Sequence, residues 1–283
     1  MLRGIDTATS GMIALQRKQD ALTNNLANAE TPGYKQDASP LRSFPQMLLE
    51  QIRDRNQSGI SAQTETLGTL SMGVYNQETL PLFLQGVLTG TDMPFDVAIE
   101  DQQIPLILEN GQYIKPSAFF AVQTADGQMQ LTRNGNFTVN ENGQLTTATG
   151  ELVLGQNGTP ITSPELTAGD VEIRENGDII VYPGDPNRAA KIGALGMVVV
   201  NNPNQLIKLG NGLFQLEGAN LSNIQTTIPT GVKLYHKMLE QSNVDLAQTI
   251  TDMMTNIRLY EANQKVLQAY DKTLEQLNSI GRV

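Results

Sequence analysis

IDTATSGMIALQRKQDALTNNL, residues Ile5 to Leu26, reads as one amphipathic helix. Apolar or tolerant residues fall at Ile5, Ala8, Met12, Leu15, Gln19, Leu22 and Leu26, in alternating steps of three and four. That spacing returns side chains to one side of a helix and leaves a single adhesive stripe, with Gln19 its polar member. Asn24, Asn25 and Asn28 are weak helix formers, each costing about 0.5 kcal/mol relative to alanine. Such a helix gains its order from packing. It should stop near Thr31-Pro32-Gly33, because proline removes a donor and biases the residue before it away from helix. Pro32-Gly33 also suits the centre of a type II turn.

The other end of the chain repeats the pattern. Leu246, Met253, Tyr260, Leu267 and Leu274 recur every seven residues, with Ile250 and Ile257 at the partner positions. Gln264 and Asp271 narrow the later half of this stripe. Ser242 and Asp245 form a capping box that predicts a start near Asn243, and Gly281 is a natural stop. Apolar residues off the stripes (Met254, Val266, Tyr270 and Leu277 here, Ile13 in the first helix) ask for a second neighbour. Periodicity alone leaves two arrangements open: the helices pack on each other within one chain, or on neighbouring copies.

Between the ends, glycine follows Asn110, Asp126, Asn134, Asn142, Asn157, Asn176 and Asn211. Such dipeptides supply the positive φ angles of tight hairpins. Short apolar or alternating runs flank them at Phe119–Gln123, Met129–Arg133, Asn136–Val139, Asp178–Tyr182 and Met197–Val200, which predicts an all-β region from about Met93 to Gly218. Arg42 to Arg53 has the composition of a short helix after Pro45, and Gln57 to Gly73 that of an extended or turn-rich connector. The expected fold class is α+β: terminal helices forming a coiled-coil-like domain, with a central all-β domain. The expected segments are an N-terminal helix (1–35), a connector (36–92), the β-domain (93–218), a second connector (219–239) and a C-terminal helix (240–283).

Composition removes several functions. The 283 residues carry 29 acidic and 19 basic side chains, a formal charge of −10. That balance disfavours nucleic acid and anionic lipid as partners. There is no cysteine and one histidine, His236, so disulfides, Cys/His zinc sites and His-Glu-x-x-His metal sites are excluded, and no phosphate-binding glycine pattern occurs. We expect no catalytic, cofactor or metal site and no small-molecule substrate. Asp92, Asp96, Glu100 and Asp101 make an acidic group that reads as a solvated face, and His236 reads as a surface residue. The longest apolar run, Ile192 to Val200, is broken by Gly193 and Gly196 and is too short to cross a bilayer. Arg3, Asp6, Arg17 and Lys18 do not fit a cleavable signal, so the expected chain is soluble or leaves the cell by a route that reads none.

Specific residues also carry a resemblance. Ser10-Gly11-Met12, Asn24-Asn25-Leu26-Ala27-Asn28-Ala29 and Thr31-Pro32-Gly33-Tyr34-Lys35 resemble the N-terminal signature of flagellar basal-body rod and hook proteins. Leu239-Glu240, Ser242-Asn243-Val244-Asp245 and Arg258 to Val266 resemble that family's C-terminal signature. Leu131-Thr132-Arg133-Asn134-Gly135-Asn136-Phe137, with Asn142-Gly143-Gln144-Leu145, is similar to its β-domain. The resemblance is greatest to distal or adjacent rod subunits. It implies export through the flagellar secretion apparatus and polymerisation into a helical tube with other copies and other rod or hook subunits. In that tube the terminal helices line the inside, and the assembly passes torque from motor to hook. The interface expected of such a lattice is Ile5, Met12, Leu15, Leu22, Leu26, Asn24 and Asn25, with Leu246, Ile250, Met253, Ile257, Tyr260, Leu267 and Leu274. One departure from the family pattern is the long segment Asp101 to Ala118, which predicts an extra hairpin around Asn110-Gly111 on the outside of the assembly. The alternative class is a secreted β-rich adhesin or cell-wall-binding module, whose expected aromatic platforms find no tryptophan here.

Overall fold

The computed structural model describes residues 2–44, 47–52, 64–70, 73–109, 111–168, 170–216 and 231–281. Contacts divide the chain into two units, each assembled from separated stretches. A helical unit comprises Met1–Ala27, Asp37–Leu80 and Asp245–Val283; a β unit comprises Asn28–Gln36 and Pro81–Val244.

In the helical unit, α1 spans Leu2–Ala27 and α2 spans Leu246–Ile280. At 35 residues, α2 is about 50 Å long. The helix begins three residues later than Asn243, because Asp245 is the N-cap: its Oδ1 accepts from the Gln248 N–H at 3.0 Å. Ser242 instead accepts from Val244 N–H. Gly281 ends α2 as expected, its N–H bonded to the Leu277 carbonyl. The stretch 42–53 is not helical where it is described. Leu41–Ser43 pairs with Val74–Asn76 and Met47–Ile52 with Thr64–Leu70, both antiparallel. A short segment with extended partners on offer takes their backbone bonds in place of an isolated helical turn. Pro45, most of the connector from Gln57 onward to residue 63, and residues 71–72 lie outside the described residues.

The centre of the β unit is Ser117–Gln123, the sequence SAFFAVQ, buried on both faces. Its neighbours explain why it reads as a continuous apolar run and not as an alternation. Phe120 and Val122 face one cluster with Val97, Ile99, Phe137 and Leu145. Phe119 and Ala121 face another with Leu131, Val198 and Phe214. The strand pairs antiparallel with Met129–Thr132 and with Met197–Val200, and a seven-strand path runs through it from Phe137–Val139 to Ile207–Gly210. A second sheet joins Val171–Ile173, Asp178–Val181 and Ala190–Ala194.

Hairpin turns lie at Asp126-Gly127, Asn142-Gly143, Asn176-Gly177 and Asn211-Gly212, each with its glycine at positive φ. Asn134-Gly135 is not one of them. Neither residue has positive φ; the Gly135 carbonyl accepts the Val97 N–H at 3.0 Å. The extra hairpin exists: Ile107–Glu109 pairs with Gln112–Ile114. The β unit also reaches beyond 93–218. Lys233–His236 pairs with Val97–Glu100, and Met238–Glu240 with Leu88–Gly90, so the second connector ends as sheet. His236 is half-buried, with Nε2 2.8 Å from the Pro94 carbonyl.

One asparagine joins α1 to the chain that follows the loop. Asn25 is fully buried; its Nδ2 donates to the Asp37 carbonyl at 2.9 Å and its Oδ1 accepts the Asp37 N–H at 2.8 Å. The side-chain amide thus substitutes for a strand partner. Asn25→Leu should leave both Asp37 backbone groups without that partner and destabilise the helical unit by about 2 to 4 kcal/mol. Far-UV circular dichroism melts would show the helical transition moving down while the β transition stays.

Candidate functional site

Two features of the structure depend on residues the sequence marks as special, one in each unit. In the β unit, four charged side chains meet in the interior: Lys35, Asp101, Arg133 and Glu240, none more than 3 % exposed. Arg133 Nε donates to Glu240 Oε2 at 2.6 Å and its Nη1 to Asp101 Oδ2 at 2.7 Å. Nη1 also reaches the Ala118 carbonyl at 2.6 Å. Lys35 Nζ donates to Glu240 Oε1 and to the Leu84 carbonyl, each at 2.7 Å. Glu240 Oε1 further accepts the Gly86 N–H, and Asp101 Oδ2 the Ala118 N–H. Lys115, partly exposed, lies 3.4 Å from Asp101 Oδ1.

The turn before Lys35 is shaped for this approach. Gly33 sits at φ +70 and Tyr34 N–H bonds to the Thr31 carbonyl, the type II turn expected of Pro32-Gly33. A Cβ at position 33 would lie 2.6 Å from the Arg133 carbonyl carbon, so only glycine lets the two backbones touch. The Gly33 N–H bonds to the Glu240 carbonyl at 2.8 Å, and Gln36 N–H to Asn243 Oδ1 at 2.7 Å. Entry and exit of the chain are therefore joined side by side.

Apart from exposed Asp92, the acidic group 92–101 is thus not a solvated face. Asp101 and Asp96 are buried, the latter accepting from Thr91 Oγ1 at 2.6 Å, and Glu100 accepts from Tyr235. Burial opposes ionising Glu240 and Asp101, yet Arg133's charge and hydrogen bonds outweigh it and hold both carboxyls below their usual range. Burial, with repulsion from Arg133, outweighs Glu240 at Lys35 and pulls the amine down to about 8.

In the helical unit, α1 and α2 run antiparallel: Asn256 meets Leu15 and Gln19, Asn263 meets Gly11, and Tyr270 meets Gly4. The expected stripe is half right. Ala8, Leu15 and Leu22 are buried, and Met253, Leu267 and Leu274 are half-buried. The partner positions differ by one residue. On α2 they are Thr249 and Asn256, both buried, then Asn263 and Tyr270. Ile250 and Ile257 instead stand 42 % and 47 % exposed, with Leu246 and Tyr260 also exposed. Ile5, Met12 and Leu26 are half-buried and Asn24 is exposed. Leu15, Leu22 and Asn25, expected at an interface between copies, are covered within one chain. Gly4 and Gly11 on α1 and a polar stripe on α2 share the packing with Leu15 and Leu22, which a search for apolar heptads does not find. The charge cluster escaped too, because Lys35 and Glu240 are 205 positions apart and no local pattern links them.

The carboxylates stabilise the β unit above their unfolded values of about 4, and that contribution is lost as pH falls below. Lys35, also depressed in the fold, has the same sign in a different window: its linkage favours folding as pH rises from about 8 towards its unfolded value. Thermal melts of the β unit should therefore drop steeply below about pH 4 without an alkaline loss from Lys35 between 8 and 10. Glu240→Gln removes the anion between two buried cations; it should cost about 3 to 5 kcal/mol and flatten the acid limb.

Comparison with known proteins fits the motifs to this geometry. Three family models match: "Flagella basal body rod protein" over residues 5–35, "Flagellar hook protein FlgE/F/G D1 domain" over 113–181 and "Flagellar basal body rod FlgEFG protein C-terminal" over 236–280. Each matched segment supplies one member of the cluster: Lys35, Arg133 and Glu240. The chain is 38 % identical to the flagellar hook-basal body complex protein FlhO of Bacillus subtilis, over all of both chains. It is 31 % identical to the basal-body rod protein FlgG of Buchnera aphidicola from Acyrthosiphon pisum, over 99 % of this chain and 100 % of that one. Against the rod protein FlgF of Salmonella typhimurium the identity is also 31 %, over 99 % and 98 %. The chain belongs to the flagellar basal-body rod and hook protein family.

Proposed function

We propose that this chain is a structural subunit of the bacterial flagellar basal-body rod, held to neighbouring subunits by its terminal helices in a helical tube that passes torque towards the hook. The observation that carries this reading is the face of α2 that α1 does not cover. Ile250, Met254 and Ile257 are each more than 40 % exposed, although α2 packs on α1 through its polar stripe. Apolar side chains spaced along one face of a long helix are a surface awaiting a partner. Neighbouring subunits of the same family, carrying the same kind of face, are the partners that this membership favours, with the helices completing a coiled-coil-like layer. Contacts between unlike surfaces on successive copies generate open helical assemblies.

In the same reading the subunit works at the basal body after export by the flagellar secretion apparatus, and it performs no catalysis. Its chemistry is cohesion: the charge cluster sets the β unit and the bare helix face sets the lattice.

Ile257→Asp places a charge on that face without touching the packing on α1. Burial of an unpaired carboxylate at a subunit contact costs several kcal/mol. Cells carrying this variant as their only copy should lose swimming, with the subunit folded but unassembled by circular dichroism and gel filtration. Swimming at the parental rate would reject helix-mediated assembly.

A further inference from the structure

The two stripes of α2 compete for the same partner. Ile250 and Ile257 follow Thr249 and Asn256 by one residue, so turning α2 by about 100° about its axis would bring the apolar stripe onto α1. On hydrophobic grounds alone that turn is favourable, and it would consume the face on which the assembly reading rests. Something must hold the helix the other way.

Asn256 is 3 % exposed in the contact with α1. Its Nδ2 donates to the Leu15 carbonyl and to Gln19 Oε1, each at 2.8 Å. Its Oδ1 accepts no hydrogen bond among the described residues, so the amide is held by its donor side alone. Gln19 is the one polar side chain on the apolar stripe expected of α1. With α2 turned, that amide would face Ile257 with no donor or acceptor to meet it, the costly case for a covered polar group. In the observed arrangement the Asn256 amide gives Gln19 Oε1 its donor. Gly11 and Gly4 add shape: a Cβ on Gly11 would sit 3.2 Å from Asn263 Nδ2, and one on Gly4 would collide with the Tyr270 ring.

We infer that the Gln19–Asn256 amide pair sets the rotation of α2 on α1 and so keeps the apolar stripe free for a second copy. It is a specificity device, of the kind a single polar residue provides in helix seams elsewhere. The inference rests on the assembly reading for its purpose, but its physical content lies within one chain.

The chain has no cysteine, so introduced pairs report rotation without background. In the full-length protein, Gly11→Cys with Asn263→Cys probes the observed face, and Gly11→Cys with Gln264→Cys the turned one. In the parent the first pair should oxidise much faster than the second. Adding Gln19→Leu and Asn256→Ala should lower the ratio of the two rates about tenfold while helical circular dichroism is retained. An unchanged ratio overturns the inference. So does loss of the helical signal, since the pair would then be needed for pairing itself and not for its rotation. Because the isolated chain is probed, either failure leaves the assembly reading standing, and that reading falls separately on Ile257→Asp.

Discussion

A guanidinium buried between two carboxylates organises the β unit. Arg133 cannot shed its proton, and out of water its charge is tolerable only with anions in contact and its remaining N–H groups occupied. Asp101, Glu240 and the Ala118 carbonyl meet that demand, and Lys35 then balances the second carboxylate. Two cations and two anions leave the interior neutral. The net energy of such a group against an apolar equivalent is small, but removing any one member strands the others. The arrangement therefore works less as a source of stability than as a condition: the strands carrying these residues must all be in place, or none is comfortable.

The helical unit obeys a different constraint. Its internal packing sets small and polar residues (Gly4, Gly11, Thr249, Asn256) beside Leu15 and Leu22, while Ile250, Met254 and Ile257 are left outside. A monomer optimised for its own stability would do the reverse. On the assembly reading proposed above the choice is coherent, because an apolar surface is then kept for contacts between subunits. The family to which the chain belongs is that of flagellar rod and hook proteins.

Much of this was readable from residues alone where the signal is local. Asn-Gly and Asp-Gly turns marked hairpins at 126, 142, 176 and 211 because positive φ is a property of the dipeptide itself. The same reasoning failed at Asn134-Gly135, where the strand before it ends against Val97 and tertiary contact decides the backbone. The helices are legible by period, and of the every-seventh positions of α2 Met253, Leu267 and Leu274 are half-buried while Leu246 and Tyr260 are exposed. The intervening positions differ by one residue because Thr249 and Asn256, and not the apolar Ile250 and Ile257 beside them, face inward. At the cluster, Lys35, Arg133 and Glu240 each lie within a motif, but their meeting is a fact of folding over 205 positions and has no trace in spacing.

The paired entry and exit of the β unit have a mechanical meaning. Gly33 is bonded to Glu240 and Gln36 to Asn243, so the intervening chain of some two hundred residues closes into a ring at its neck. A pull or twist reaching the unit along either strand of that neck is met first by charge-assisted bonds lying across it, before any sheet is asked to shear.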